Sequence, residues 1–269
     1  MVKQEVISIG LDIKNVVFNY GSHRVLNQIT IDVKPGEVLA VIGPNGSGKS
    51  TLVRMASGIL HPGSGTVKVQ GINIHEENPD KRARLISVVP QAVKLPESFN
   101  AADTVLMGRT PYIGWFRNEN KQDLEITRRA MERTNTISLS ERMIGELSGG
   151  EQQRVLIARA LAQSTPVILM DEPTAHLDLK YQSNIMGLIQ SLAKKDGLAV
   201  LVILHDLNLA SIYADRVVLL VNGGIYASGL PAEVLNASIL SSAYQVPVNV
   251  ISHPIYNSPL ILPDGKDPV

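Results

Sequence analysis

Apolar residues recur along the chain in two rhythms, and each marks a different kind of element. Between Leu11 and about Gly71 they alternate with polar ones: Val16, Phe18 and Tyr20, then Ile29, Ile31 and Val33, then Val67 and Val69. A period of two is that of a half-buried strand, so this stretch predicts short strands joined by turns such as Lys34-Pro35-Gly36. The runs at 38–42, 167–170, 199–204 and 217–220 are instead continuously apolar and only four to six residues long. That suits strands buried on both faces of a parallel sheet. Residues 86–89 form a further strand, stopped by Pro90, and Val246, Val248 and Val250 a small terminal one.

A helical period separates these runs. Residues 50–57 place Leu52, Met55, Ala56 and Ile59 on one face, with Gly58 near the end. Other helices are expected at 123–134, from about Glu151, and from Asp178, where Tyr181, Ile185, Leu188 and Leu192 share a face. Strands alternating with helices predict an α/β fold with a mostly parallel sheet, preceded by an N-terminal antiparallel β region. Residues from 92 to about 145 break the alternation. They hold the only tryptophan, Trp115, and a polar helical stretch, and they predict an inserted helical lobe.

Composition narrows the possibilities. The 269 residues are 44% hydrophobic and 19% charged, enough for a sizeable core. Lysine plus arginine and aspartate plus glutamate both number 25, a balance that argues against a nucleic-acid partner. The absence of cysteine excludes disulfides, thiolate metal sites and cysteine nucleophiles. The apolar runs at 198–204 and 217–221 fall far short of the ~18 residues of a spanning helix. The first ten residues lack the apolar stretch of a signal peptide. The expected location is therefore the cytoplasm, and any membrane-spanning part of the function must come from another chain.

The run Gly43-Pro44-Asn45-Gly46-Ser47-Gly48-Lys49-Ser50-Thr51 fits the phosphate-loop pattern G-x-x-x-x-G-K-[ST], between a strand and a helix as its chemistry requires. Glycines let backbone N–H groups turn inward around phosphate oxygens, and the helix start adds its positive dipole end. Lys49 would reach the outer phosphates, and the Ser50 hydroxyl would ligate Mg²⁺. The strand at 167–170 ends in Asp171-Glu172. Adjacent acids after a strand are more often a solvated turn. Beside a phosphate cradle they read as a Mg²⁺ carboxylate, Asp171, and a general base that polarises the attacking water, Glu172.

Leu147-Ser148-Gly149-Gly150-Glu151-Gln152-Gln153-Arg154 resembles the signature sequence of ABC ATPases, at the expected distance before Asp171-Glu172. Ser148 and the glycines stand at a helix start, a second anion site that one ATP on one chain does not need. The resemblance implies that this site (Ser148, Gly149, Gly150, Glu151) holds the γ-phosphate of an ATP carried by a second copy, so that two copies sandwich the nucleotide. It further implies that Tyr20 stacks on adenine, that Gln91 senses Mg²⁺ and the permease, that Asp178 lies in a loop communicating between subunits, and that His205 contacts the γ-phosphate. The plainer alternatives are a strand-core tyrosine, a loop glutamine, a helix N-cap and a structural histidine. The chain departs from the commoner family sequence in two places. Glu151 replaces glutamine and brings a negative charge toward a phosphate site, and Ala175-His176 replaces Ser-Ala.

The resemblance covers about residues 11–235. It implies a P-loop NTPase core (about 11–91 and 165–235), a helical subdomain (about 92–164) and a C-terminal extension (236–269) in one ABC ATPase domain. Thr174-Ala175-His176-Leu177-Asp178, Leu204-His205-Asp206-Leu207-Asn208-Leu209-Ala210, Gly108-Arg109-Thr110-Pro111-Tyr112 and Gly229-Leu230-Pro231-Ala232-Glu233-Val234-Leu235 are similar to importers of iron-siderophore, haem and vitamin B12. The implied setting is peripheral, on the cytoplasmic face of the cell membrane, with integral membrane permease subunits and, indirectly, an extracytoplasmic solute-binding protein. Tyr112, Trp115 and Phe116 are candidate anchors for a permease helix, or else packing within the lobe. An importer of another solute and a non-transport ABC ATPase are the competing readings. Non-transport members usually need long coiled coils or tandem ATPase domains, which this sequence lacks.

Overall fold

The computed structural model describes residues 10–91, 95–113 and 118–264. The N-terminal alternation produces β1 (Leu11–Tyr20) and β2 (His23–Val33), an antiparallel pair in which Ile13 faces Ile31 and Val16 faces Ile29. The next strand, β3 (Val38–Ile42), is buried at every position. It feeds the glycine-rich loop and α1 (Lys49–Ala56). Leu52, Met55 and Ala56 are buried as the period predicts, but Ile59 is 68% exposed. The helix has ended by then, and Gly58 at φ 78 turns the chain away.

β4 (Ser64–Val69) and β5 (Ile72–Asn73) complete a four-stranded sheet of order β2-β1-β4-β5. A short helix, α2 (Pro79–Ala83), precedes β6 (Ile86–Val89). The chain then enters α3 (Ala101–Leu106), α4 (Lys121–Arg133) and α5 (Gly149–Ala162), which pack on one another. α4 opens with a reciprocal cap between Asn120 and Asp123. The buried Asp123 carboxylate also accepts from Arg109 Nε at 3.0 Å. Trp115 and Phe116 lie outside the described residues.

β7 (Val167–Asp171), α6 (Leu179–Asp196), β8 (Ala199–Ile203), α7 (Leu207–Tyr213), β9 (Arg216–Val221) and β10 (Gly224–Gly229) return the chain to the main sheet. Its order is β10-β9-β3-β8-β7-β6, parallel except for β10. Alternate residues of β3 point to opposite faces. Val38, Ala40 and Ile42 join the apolar cluster beneath α3–α6, while Leu39 and Val41 join that beneath the antiparallel sheet. The chain closes with α8 (Pro231–Val234), α9 (Ala237–Tyr244) and a hairpin of β11 (Val248–Ser252) and β12 (Pro259–Pro263). The terminal strand begins at Val248, after Val246, which is 39% exposed. The fold is α/β, a P-loop NTPase core with an antiparallel β sheet and a helical insertion. Among the described residues no helix is long and apolar enough to cross a membrane.

Candidate active site

The carboxyl ends of β3, β6, β7 and β8 open into one cleft of about 440 Å³. Asn45, Gly46, Ser47, Gly48, Lys49, Ser50 and Thr51 line one side, and Gln91, Glu172 and His205 the other. The loop is shaped by glycine. Gly48 caps α1 at φ 101, where a Cβ would press on Leu26 and the Val25 carbonyl. With glycine as its cap, α1 starts without a side-chain cap and without an acid in its first turn. Its N–H groups are thus left for an anion. Lys49 is buried and donates to the carbonyls of Gly43 at 2.7 Å and Pro44 at 3.0 Å. Burial lowers its pKa, against the raising fields of Glu172 and Asp171. The Ser47 hydroxyl is buried beside Gly43 and has no hydrogen-bond partner among the described residues.

Asp171 ends β7, and the Ser50 hydroxyl donates to its Oδ1 at 3.3 Å. Burial is the main cause raising its carboxyl above the ordinary range, with Ser50 opposing and Glu172 adding to the rise. Glu172 follows in the left-handed region at φ 51. That turn swings its side chain into the cleft, where Gln91 Nε2 donates to Oε2 and His205 Nε2 to Oε1. Two residues from two strand ends therefore converge on the carboxylate at the end of a third. No group of three or more His, Cys, Asp or Glu suited to a metal occurs among the described residues. A hydroxyl and one acid side by side suit a cation that shares its shell with phosphates rather than a full protein cage.

The other expected residues lie elsewhere. Tyr20 ends β1, 47% exposed, with its ring edge-on to Phe18 at 4.9 Å. It is not among the cleft-lining residues; Val25 on β2 is. Ser148 caps α5, and Gly150 is required because the Tyr181 ring lies where its Cβ would be. The Glu151 carboxylate accepts from Ser148 N–H at 2.9 Å and from its hydroxyl at 2.8 Å. Those bonds hold its pKa below the usual range, with smaller help from Arg142 and Arg154. Asp178 caps α6, accepting from Tyr181 N–H at 3.0 Å. His176 is exposed at φ 61. In the lobe, Tyr112 is engaged by its own chain. Its hydroxyl donates to the Gln163 carbonyl at 3.0 Å, and the Arg109 guanidinium lies 4.0 Å from its ring centre. Val25 has no signal in the sequence beyond that of a strand residue.

Comparison with known proteins identifies the family. The family model for the ABC transporter matches residues 26–175. The hemin import ATP-binding protein of Nocardia farcinica is 42% identical over 242 residues, covering 90% of this chain and 83% of its own. The achromobactin transport ATP-binding protein of Dickeya dadantii is 35% identical over 254 residues, covering 94% of each. Among solved structures, a chain of a metal-chelate type ABC transporter in an inward-facing conformation superposes with a TM-score of 0.83 at 29% identity, covering 95% of this chain and 97% of that one. A dimeric bacterial ABC transporter cassette superposes with a TM-score of 0.71 at 29% identity, covering 82% of this chain and 98% of that one. The chain belongs to the ABC transporter family, as an ATP-binding subunit that hydrolyses ATP.

Proposed function

We propose that the chain powers an importer of an iron chelate or haem, and that it works as a pair with each ATP between the cleft of one copy and the α5 start of the other. The observation that carries the catalytic part is the Glu172 carboxylate, aimed into the cleft and held between Gln91 and His205. Glu172 is the general base. It takes a proton from the water that attacks the γ-phosphorus, while the bond to the ADP oxygen breaks and phosphate leaves. The N–H donors of Gln91 and His205 fix the carboxylate's direction, and His205 remains near enough to meet the γ-phosphate. Lys49, the loop N–H groups of residues 43–51 and the α1 dipole hold the phosphate chain. Ser50, Asp171 and the amide oxygen of Gln91 would hold Mg²⁺, which would neutralise phosphate charge there. The Ser50 hydroxyl, 3.3 Å from the Asp171 carboxylate, supports that assignment, because a hydroxyl and an acid side by side suit a cation that takes its other ligands from phosphates.

Tyr20, half exposed at the end of β1, is free to stack on adenine. Ser148, Gly149, Gly150 and Glu151, with Asp178 close by on α6, form the surface offered to the partner's nucleotide. The dimeric cassette that superposes on this chain supports the pairing. Residues 92–164 form the subdomain that meets the permease, and the pair sits on the cytoplasmic side of the membrane under that permease and an external binding protein. The two curated relatives are named for hemin and achromobactin, which supports an iron-bearing solute.

Uptake by the chain reconstituted with its co-purified permease and binding protein tests the solute. ATP-dependent transport of haem or a siderophore is expected. Transport of cobalamin alone would move the solute within the range that the sequence implies. Transport of only a sugar, amino acid or phosphate would overturn the assignment.

A further inference from the structure

We infer that the terminal hairpin of β11 and β12 braces the reacting end of the cleft, with Asn208, on α7, a positioning residue for His205. The inference rests on the role given above to His205 and assigns a function to a part of the chain outside the residues that the family model matches.

The argument begins with α7. It has seven residues, about two turns, and too short a helix to hold its own direction without tertiary contacts. Its cap is Asp206, whose carboxylate accepts from Asn208 N–H at 2.8 Å and Leu209 N–H at 3.1 Å. His205 immediately precedes that cap, so the way α7 lies sets how the chain leaves β8 and where the imidazole meets Glu172. Leu209 and Ala210 bury the inner side of α7. At its far end Tyr213 is tied to Ser183 and Gln190 of α6, and the directional contacts nearer to His205 come from the hairpin. The Asn208 amide donates to the Ile261 carbonyl at 3.3 Å and accepts from Ile261 N–H at 2.8 Å. One side chain thereby imitates a neighbouring strand on the edge of β12. Three residues on, Ser211 Oγ donates to the Pro259 carbonyl at 2.6 Å. Apolar packing alone would let the helix slide, whereas these bonds fix its register against β12.

The outward side chains Ile251, Ile255 and Tyr256 take no part in this and remain exposed.

Asn208→Ala in the full-length chain tests the brace. At saturating Mg-ATP, kcat is expected to fall about tenfold with the KM for ATP unchanged, inside the ~10²-fold that a 1 Å misplacement can cost. The His205 imidazole proton signal is expected to shift in the same variant. In Ile255→Ser, on the exposed face of the hairpin, both readouts are expected to match the parent. A parental kcat, or slower turnover with the His205 signal unmoved, would overturn the inference. If Asn208→Ala does not fold, Ser211→Ala removes only the Pro259 contact and is read by the same two criteria. His205→Ala keeps the premises apart: parental turnover there sinks the role of His205 itself, whereas a loss there beside a parental Asn208→Ala sinks only the brace.

Discussion

Two helices in this chain begin in glycine, and they begin differently. α1 starts at Gly48 with a bare N-terminus, a buried lysine at its first position and no acid in its first turn. α5 starts at Ser148 with a full reciprocal cap, and the acid of that cap, Glu151, takes both the N–H and the hydroxyl of the serine. The first helix start can be completed only by an anion from outside. The second is already partly completed from within, so a phosphate there must compete with a carboxylate of the same chain. Glycine content alone thus does not define an anion site. What fills the cap decides whether the site is ready or must be opened.

The contrast can be broken or sharpened by substitution. The largest expected effect belongs to the side facing α1. Glu172→Gln keeps size but removes the proton acceptor, and steady-state hydrolysis is expected to fall by ~10²–10⁴ with nucleotide binding retained. Sizing the same variant with and without Mg-ATP is expected to show a trapped pair. Multiple-turnover hydrolysis near the parental rate would place the base elsewhere. Lys49→Ala removes the cation at the bare helix start. Loss of a charged hydrogen bond worth ~1.5–3 kcal/mol corresponds to roughly 10- to 100-fold weaker ATP binding by titration calorimetry. Tyr20→Ala is expected to weaken affinity by about 2- to 10-fold, and Tyr20→Phe by much less, because stacking needs the ring. Equal losses would point to the hydroxyl. The smallest effect is the one that bears most directly on the contrast. Glu151→Gln keeps the capping geometry and removes a charge, and is expected to tighten ATP-driven pairing by about fivefold, the equivalent of ~1 kcal/mol for charges a few ångströms apart in water. Weaker pairing would mean that the carboxylate helps the site rather than competing for it.

Most of the framework was legible in the sequence, because period and punctuation follow directly from burial. β3, β6, β7, β8 and β9 fall within a residue or so of the predicted runs. The phosphate loop and the acids at the end of β7 were legible for a further reason, that their chemistry demands a fixed place between a strand and a helix. Ile59 failed because Gly58 ended the helix before the periodic pattern did. β12 went unseen, as prolines at both its ends hide a strand whose only ladder partner among the described residues is β11. The meeting of Gln91 and His205 on Glu172 joins residues 81 and 33 positions apart, which local pattern cannot reach; resemblance alone brought them forward. The turn of Glu151 toward Ser148 could have been read locally, since Ser-x-x-Glu is itself a capping box.

Glu172 carries a consequence for how the molecule balances durability against use. A side chain with a Cβ at φ 51 is conformationally costly, by about 1–3 kcal/mol for such regions. The fold tolerates it because the turn after β7 is what brings the carboxylate to Gln91 and His205. Glycine at this position would relieve the backbone while its freer unfolded chain takes back about 0.5–1 kcal/mol. Glu172→Gly is therefore expected to be inactive yet to melt no lower than the parent. The residue most needed for turnover is one whose loss the folded state withstands, so selection for heat resistance alone would erode the ATPase at this point first.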